Sequence, residues 1–312
     1  MGLLEQVPDE MWRIIAGDAP LLAQVSEHLM GMRGKMFRPT LSLLAASIER
    51  PPPPEALTVA ATAELIHLAT LVHDDSVDHS ALRRGMPTVN SVFSHQVAVI
   101  TGDYLYIRAL AELLELDTVE PVRTFMRASR EMTLGEMHQI VATQKLGFTE
   151  EGYYQLIRAK TASLFSATCE VGAIYGATSS RAALADYGTQ LGMAFQIADD
   201  LLDYTEEEEV TGKPAGHDLR EQKVTLPLIH ALRQMPVADR ALVEAFFRDD
   251  EPDDSGIAEV VALVRSNGGL DYARQQGEGF ARNAEAALAE VPRGAPRTAL
   301  VDAIAYVMDR RW

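Results

Sequence analysis

Apolar residues recur at helical spacing along almost the whole chain, whereas alternating valine- and isoleucine-rich runs bounded by turn residues are nearly absent. An all-α fold follows. Helices are predicted over residues 21–33, 40–49, 55–78, 94–114, 121–145, 150–175, 181–204, 225–234, 237–248, 255–266, 270–288 and 295–310. Four prolines at 51–54 cannot continue a helix and read as a stiff connector. The other breaks, 176–180 and 205–216, are short enough to be loops, so residues 1–312 are expected to form one all-helical domain.

A length of 312 residues exceeds the usual single-domain size but can serve one buried core. Apolar residues make up 47% of the chain, yet nowhere do about 18 uncharged ones run together, which argues against a membrane-spanning helix. The start, MGLLEQVPDEMWR, lacks the basic-then-apolar pattern of a secretory signal, and the single Cys169 fits a reducing cytoplasm. A formal charge of -17 repels polyanions and makes nucleic acid a poor partner. Any diphosphate must then be met locally, by metal ions or a few clustered basic residues inside one cleft.

The chain offers both. Asp74, Asp75 and Asp78 (DDSVD) end one predicted helix, and Asp199, Asp200 and Asp203 (DDLLD) end another. Residues four apart share a helix face, so Asp74 pairs with Asp78 and Asp199 with Asp203, and each pair can share a metal ion. Three carboxylates within two turns repel one another and oppose the dipole at a helix C-terminus, so something positive should compensate. Hard oxygen ligands suit magnesium, which takes the rest of its octahedron from waters and substrate phosphates. Two facing clusters could hold one diphosphate. Acidic helix ends are often simply solvated, but a chance D-D-x-x-D is expected in fewer than about one chain in ten. Both clusters also follow strongly apolar stretches, LIHLATLVH and LGMAFQIA, which place them where a buried helix meets the mouth of a cavity.

Gly34-Lys35-Met36-Phe37-Arg38-Pro39 puts two cations between helices, where Gly34 permits a tight turn and Pro39 can open the next helix. Lys35 and Arg38 are a candidate phosphate clamp. An isolated Lys-x-x-Arg is usually a solvated pair, but Arg83-Arg84-Gly85 just past the first cluster strengthens the reading, because arginine grips phosphate bidentately. His67 lies about two turns before Asp74 on nearly the same face. It could reach a second phosphate or be a satisfied core histidine, and the spacing leaves both open. His73 reads as structural. Lys160-Thr161 within a predicted helix, Gln196 before Asp199, and Lys213 and Lys223 after the second cluster are each unremarkable alone, and residues 206–209 read as a solvated acidic loop.

In order, the motifs GKMFRP, LIHLATLVHDDSVDHSALRRG, GDYL, KTA, FQIADDLLDYT and GKPAGHDLREQKVTLPLI resemble the trans-isoprenyl diphosphate synthase (polyprenyl synthetase) family, and its long-chain octaprenyl and heptaprenyl types in particular. The resemblance covers residues 34–227. It implies a single large helical bundle around a central cavity, of the isoprenoid synthase type. It further implies several magnesium ions held by Asp74, Asp78, Asp199 and Asp203 around an allylic diphosphate, with Asp75 and Asp200 in support. Arg83, Lys160, Thr161, Gln196 and Lys213 would hold that diphosphate, Lys35, Arg38, His67 and Arg84 would bind isopentenyl diphosphate, and Lys223 joins the substrate-binding set. The implied catalytic set is Asp74, Asp75, Asp78, Arg83, Lys160, Asp199, Asp200 and Lys213. Two departures stand out: Met36-Phe37 fills a pair often occupied by Arg-Leu, and Gln222 replaces the glycine usual before Lys223, which could alter the loop that closes over the site.

The implied reaction is departure of diphosphate to leave an allylic carbocation in a dry cavity, attack by the double bond of isopentenyl diphosphate, and loss of a proton to the departed diphosphate. In such enzymes bulky residues four or five positions before the first aspartate stop product growth. Here those positions are Thr70 and Ala69, about 6 to 8 Å below Asp74 at 1.5 Å per residue. Neither blocks the tail, so a product longer than geranylgeranyl diphosphate, of hexaprenyl to decaprenyl length, is expected. The alternatives are a short-chain geranylgeranyl or farnesyl diphosphate synthase, a terpene cyclase, which DDLLD argues against, and a non-catalytic partner subunit. The resemblance also implies a homodimer, and the single Cys169 points to the cytoplasm. Oily products suggest peripheral membrane contact for release, a hypothesis that liposome flotation with and without product decides.

Overall fold

The computed structural model describes residues 2–17, 19–32, 34–142, 146–205, 216–249 and 252–309. The chain runs through α1 (Leu3–Ile15), α2 (Pro20–Gly31), α3 (Phe37–Ala46) and α4 (Glu55–Val77), then a hairpin of two-residue strands, β1 (Leu82–Arg83) and β2 (Met86–Pro87). Next come α5 (Val89–Val92), α6 (His95–Leu114), α7 (Glu120–Ala142) and α8 (Glu150–Ile157). A π-helical turn (Arg158–Ala162) leads directly into α9 (Ser163–Gly176). The remainder is α10 (Arg181–Thr205), α11 (His217–Arg220), α12 (Leu226–Gln234), α13 (Val237–Phe246), α14 (Asp254–Ser266), α15 (Gly269–Ala287) and α16 (Ala295–Met308). Among the described residues every element longer than two residues is helical, so the all-α expectation holds.

Each predicted helix has a counterpart, with ends displaced by a few residues; residues 33, 143–145 and 310, at three predicted ends, lie outside the described residues. Five elements were not predicted: α1, the hairpin, α5, a 3-10 turn over Thr178–Ser180 where a loop was expected, and α11. Pro8 conceals α1, because proline inside a helix removes a hydrogen bond and disfavours the preceding turn. Burial of Val7, Met11, Ile14 and Ile15 along one face offsets that cost. Two side chains from α6 also satisfy terminal carbonyls of α1: Tyr104 Oη donates to Ile15 O at 3.1 Å and Arg108 Nε to Ile14 O at 2.7 Å.

The chain divides into two compact units, one of Met1–Arg127, Ala167–Ala185 and Glu290–Leu300, the other of Ala128–Ser166, Asp186–Ala289 and Val301–Trp312. Four of the five boundaries fall inside α7, α9, α10 and α16, and the fifth, between residues 289 and 290, falls in the connection from α15 to α16. In the first unit α4 packs on α6, α1 and α3 and is apolar on all sides, with Val59, Ala60, Ala61, Leu65 and Ile66 fully buried. By length and mean hydropathy (1.4) α4 could cross a membrane, but 61% of its most apolar stretch is buried inside the protein, as in a core helix. In the second unit α12 packs against α14 and α15, and Tyr153, Met193, Ile197, Tyr204, Leu226 and Phe246 belong to one core.

In the first unit α9 and α3 meet at almost zero clearance. A Cβ on Gly176 would fall 1.5 Å from the carbonyl oxygen of Ala46, so only glycine fits. Gly176→Ala should therefore cost about 3 kcal/mol, because a backbone contact cannot yield as a side chain can. Urea denaturation followed by circular dichroism measures this, and an unchanged midpoint would mean the helices are not this close.

Candidate active site

The first aspartate cluster closes α4. Asp74 and Asp75 lie in its last turn and Asp78 is its C-cap, with the Asp78 N–H donating to Asp74 O at 2.8 Å. Exposure divides the three: Asp78 is exposed, Asp74 half-buried, and Asp75 only 5% exposed. Arg83 closes on Asp75, its Nε 2.8 Å from both carboxylate oxygens and its Nη2 2.7 Å from Oδ1. This is the positive partner that clustered carboxylates require. Arg83 is aimed by the hairpin, whose two turn residues, Arg84 and Gly85, have φ of 53° and 76°. Both central residues of a tight type I′ hairpin turn need positive φ, so Arg84 holds a conformation disfavoured for a side-chain-bearing residue.

A group of basic side chains adjoins this cluster in the same unit. Arg38 is half-buried at the start of α3, and Lys35 is exposed just before it. The left-handed residue here is Met36 (φ 52°), which corrects the expectation that Gly34 makes the turn. Gly34 is needed for proximity instead: a Cβ there would lie 2.9 Å from Arg84 Nη1 and 3.0 Å from Glu64 Oε1. Glu64 is 7% exposed, and burial pushes its pKa up against the pull of Arg38 and Arg84. His67, one turn further along α4, is pushed well down by burial and then by Arg38, Arg84 and Arg83, which keeps its ring neutral. The sequence left His67 between a core and a ligand role, and both its burial and its arginine neighbours are present here. Glu64 was missed, although a lone acid in an apolar helix three residues before His67 was a visible signal.

Ala69 is 1% exposed, and Thr70 is half-buried with its hydroxyl donating to His67 O at 2.7 Å. Its hydroxyl is thus spent on its own helix. His73 is structural, as read: Nε2 lies 3.1 Å from Val99 O and 3.3 Å from an Asp103 oxygen, in space that only a glycine at 102 leaves open.

The second cluster lies near the end of α10 in the other unit. Asp199 is exposed, Asp203 half-buried, and Asp200 again 5% exposed. Neutral donors hold Asp200: Tyr153 Oη donates to Oδ2 at 2.5 Å and Gln196 Nε2 to Oδ1 at 2.8 Å, while Thr161 Oγ1 donates to Gln196 Oε1 at 2.7 Å. Asp203 accepts from the N–H groups of His217 and Asp218, both at 3.0 Å, and so anchors the start of α11. Burial, with Asp199 and Asp203 adding repulsion, pushes Asp200 up to about 7, and it also raises Asp203 and Asp218.

Lys160 and Thr161 occupy the π-helical turn, a correction to their placement in a continuous helix. Such bulges turn successive side chains out of the ordinary helical register. Glycines let the neighbours close on it: a Cβ on Gly192 would lie 2.6 Å from Ala162 Cα, and one on Gly135 3.2 Å from Lys160 N. Gln196, one turn beyond Gly192, thereby reaches Thr161. Lys160 pairs with Glu136 at 2.5 Å and Gln139 at 3.0 Å, and Lys223 with Glu221. Lys160, Thr161, Gln196, Asp200, Asp218 and Lys223 line a cavity of about 130 Å³. Lys213 lies outside the described residues. Tyr153 and Asp218 were missed; Asp218 stands inside the GHDLREQK motif, but nothing local marks Tyr153.

Among the described residues no three His, Cys, Asp or Glu side chains converge to chelate an ion by themselves. A cation here would draw further ligands from outside the chain, which is how magnesium is usually held beside phosphates. The donor set is all carboxylate, and burial with neighbouring acids raises Asp200 and Asp218, a penalty that a cation would relieve, so the residues fit that ion.

Residues 19–264 match the model of the polyprenyl synthetase family. The chain is 37% identical to an all-trans-nonaprenyl-diphosphate synthase (geranyl-diphosphate specific) of Rhodobacter capsulatus, over 95% of this chain and 91% of that one. It is 35% identical to an octaprenyl diphosphate synthase of Escherichia coli K12, over 91% and 88%. A solved polyprenyl synthase from Caulobacter crescentus CB15, complexed with calcium and isoprenyl diphosphate, superposes with a TM-score of 0.94 at 34% identity, covering 99% of this chain and 95% of that one.

The Tyr153–Asp200 bond gives a direct test of how this site is held. Tyr153→Phe removes a donor from a buried carboxylate and should destabilise the metal-free protein by about 1–3 kcal/mol in urea denaturation. No loss would show that Asp200 does not depend on the phenol.

Proposed function

The chain belongs to the polyprenyl synthetase family and is a prenyltransferase, and we propose that it extends an allylic diphosphate with isopentenyl diphosphate units past geranylgeranyl length, as one catalytic domain using both aspartate clusters. The observation that carries the reading is a feature common to the two clusters. The middle aspartate is buried and committed to protein donors, while its neighbours sit at more exposed positions at a helix end. The calcium and isoprenyl diphosphate bound by the Caulobacter relative support a divalent cation and a prenyl substrate here.

Bound at Asp74, Asp78, Asp199 and Asp203, magnesium would supply positive charge to the departing diphosphate. The chain's own contribution is placement and charge. Lys160, Lys223, Thr161 and Gln196 border the cavity that would take the allylic diphosphate. Lys35, Arg38, Arg84 and the neutral His67 would take isopentenyl diphosphate, with Glu64 balancing the arginines. Asp75 fixes Arg83 so that its charge is in place before substrate arrives. The carbon–oxygen bond of the allylic diphosphate breaks, the isopentenyl double bond attacks the cation, and the released proton goes to the departed diphosphate. A cytoplasmic location is supported by Cys169, a lone buried thiol whose pKa burial pushes up to about 12.

The long product is supported by the small residues at 69 and 70 and by the products named for the relatives. Incubation with magnesium, labelled isopentenyl diphosphate and farnesyl diphosphate should give a ladder ending beyond geranylgeranyl, and chelation of the metal should abolish it. Ala69→Phe should shorten the ladder; an unchanged product would move the tunnel elsewhere.

A homodimer is part of the proposal. On α6, Ile100 (64% exposed), Ile107 (62%) and Leu114 (58%) recur seven residues apart, an apolar stripe that a second copy would cover. Ile107→Lys should yield monomers in sedimentation velocity, and intact dimers would exclude this face.

A further inference from the structure

Gln222 sits where the backbone must turn left-handed. Its φ is 55°, a region natural to glycine and disfavoured for a residue with a side chain. The turn closes α11 as glycine caps often close helices: Gln222 N–H donates to Leu219 O at 2.9 Å and Lys223 N–H to Asp218 O at 2.7 Å. A second bond then ties this turn to a separate stretch of the same unit. Gln222 Nε2 donates to the carbonyl oxygen of Asp249, just past the end of α13, at 2.6 Å. The next residue, Lys223, borders the cavity that also holds Lys160, Thr161, Gln196, Asp200 and Asp218.

The direction in which Lys223 leaves the backbone follows from the φ of the residue before it. An unanchored side-chain-bearing residue would relax toward negative φ and swing Lys223 away from the cavity. Glycine would hold the turn without help, but this chain lacks it there and supplies an amide tether instead.

We propose that Gln222 is a positioning residue: its amide, fixed on the Asp249 carbonyl, locks the left-handed turn that presents Lys223 to the cavity, and so sets the affinity for the allylic diphosphate. The inference rests on the reading of this cavity as the allylic diphosphate site. Gln222→Ala removes the tether and keeps the strain, Gln222→Glu keeps the shape but sets a carboxylate against a carbonyl, and Gln222→Gly removes both tether and strain.

Calorimetric binding of a non-reactive thiolo analogue of farnesyl diphosphate with magnesium, beside steady-state kinetics, tests it. Ala and Glu variants should bind the analogue three- to tenfold more weakly and raise the KM for the allylic substrate to match. Their kcat and their KM for isopentenyl diphosphate should stay within twofold, and the Gly variant should match the wild type within twofold. A purely structural role would lower the unfolding midpoint and leave these affinities unchanged, which would overturn the proposal. So would a Gly variant as weak as the Ala one. Wild-type protein that neither binds the analogue nor elongates an allylic diphosphate would remove the site reading and the proposal with it, a result distinct from variants that merely match an active wild type.

Discussion

Carboxylates gathered at the end of an apolar helix lose water and repel one another, and each unit surrounds its buried aspartate with donors that offset both effects. The means differ. At the end of α4 the offset is ionic, with Arg83 on both oxygens of Asp75. Near the end of α10 it is made by neutral groups, the Tyr153 phenol and the Gln196 amide on Asp200 and two backbone N–H groups on Asp203. An arginine cancels a charge, whereas phenol and amide donors only stabilise it. Burial still holds Asp200 up near 7. Lys160 and Lys223 in this unit are each paired with a glutamate.

Backbone irregularities bring these donors into place. The π-helical turn puts Lys160 and Thr161 side by side on the cavity, and the missing side chains of Gly135 and Gly192 let α7 and α10 close on it. In the other unit the hairpin directs Arg83 to Asp75, and the gap at Gly34 admits Arg84 and Glu64 together. An ideal helix in either place would carry the same residues without their convergence. Departures from regular geometry at functional residues fit the view that strain persists where its surroundings over-determine it.

The legible part of the fold was what depends on near neighbours. Helical periodicity gave the long helices, and D-D-x-x-D spacing gave both clusters, because each is written within a few residues. Pro8 hid α1, since its compensation comes from burial and from Tyr104 and Arg108 on a distant helix. The Tyr153–Asp200 bond joins residues 47 apart, and no local pattern announces it. The π-helical turn is equally silent, because RAKTA reads as ordinary helix. Gln222 stood out by its identity alone, and only the backbone reveals that its place needs a left-handed turn.

Among the described residues four that are not glycine have positive φ: Met36, His79, Arg84 and Gln222. Each adjoins a candidate ligand, namely Lys35, Asp78, Arg83 and Lys223. Strain of this kind costs of order 1–3 kcal/mol per residue, so it persists only where something local holds it. At Met36 the holder is Thr40, whose N–H and hydroxyl both donate to the Met36 carbonyl. At His79 it is a stacked ring, His95, which in turn bonds Ser76. At Arg84 it is the hairpin ladder with Gly85, and at Gln222 the tether to Asp249. None of these holders is core packing. Each left-handed turn beside a functional residue is thus held by short polar, ring or ladder contacts.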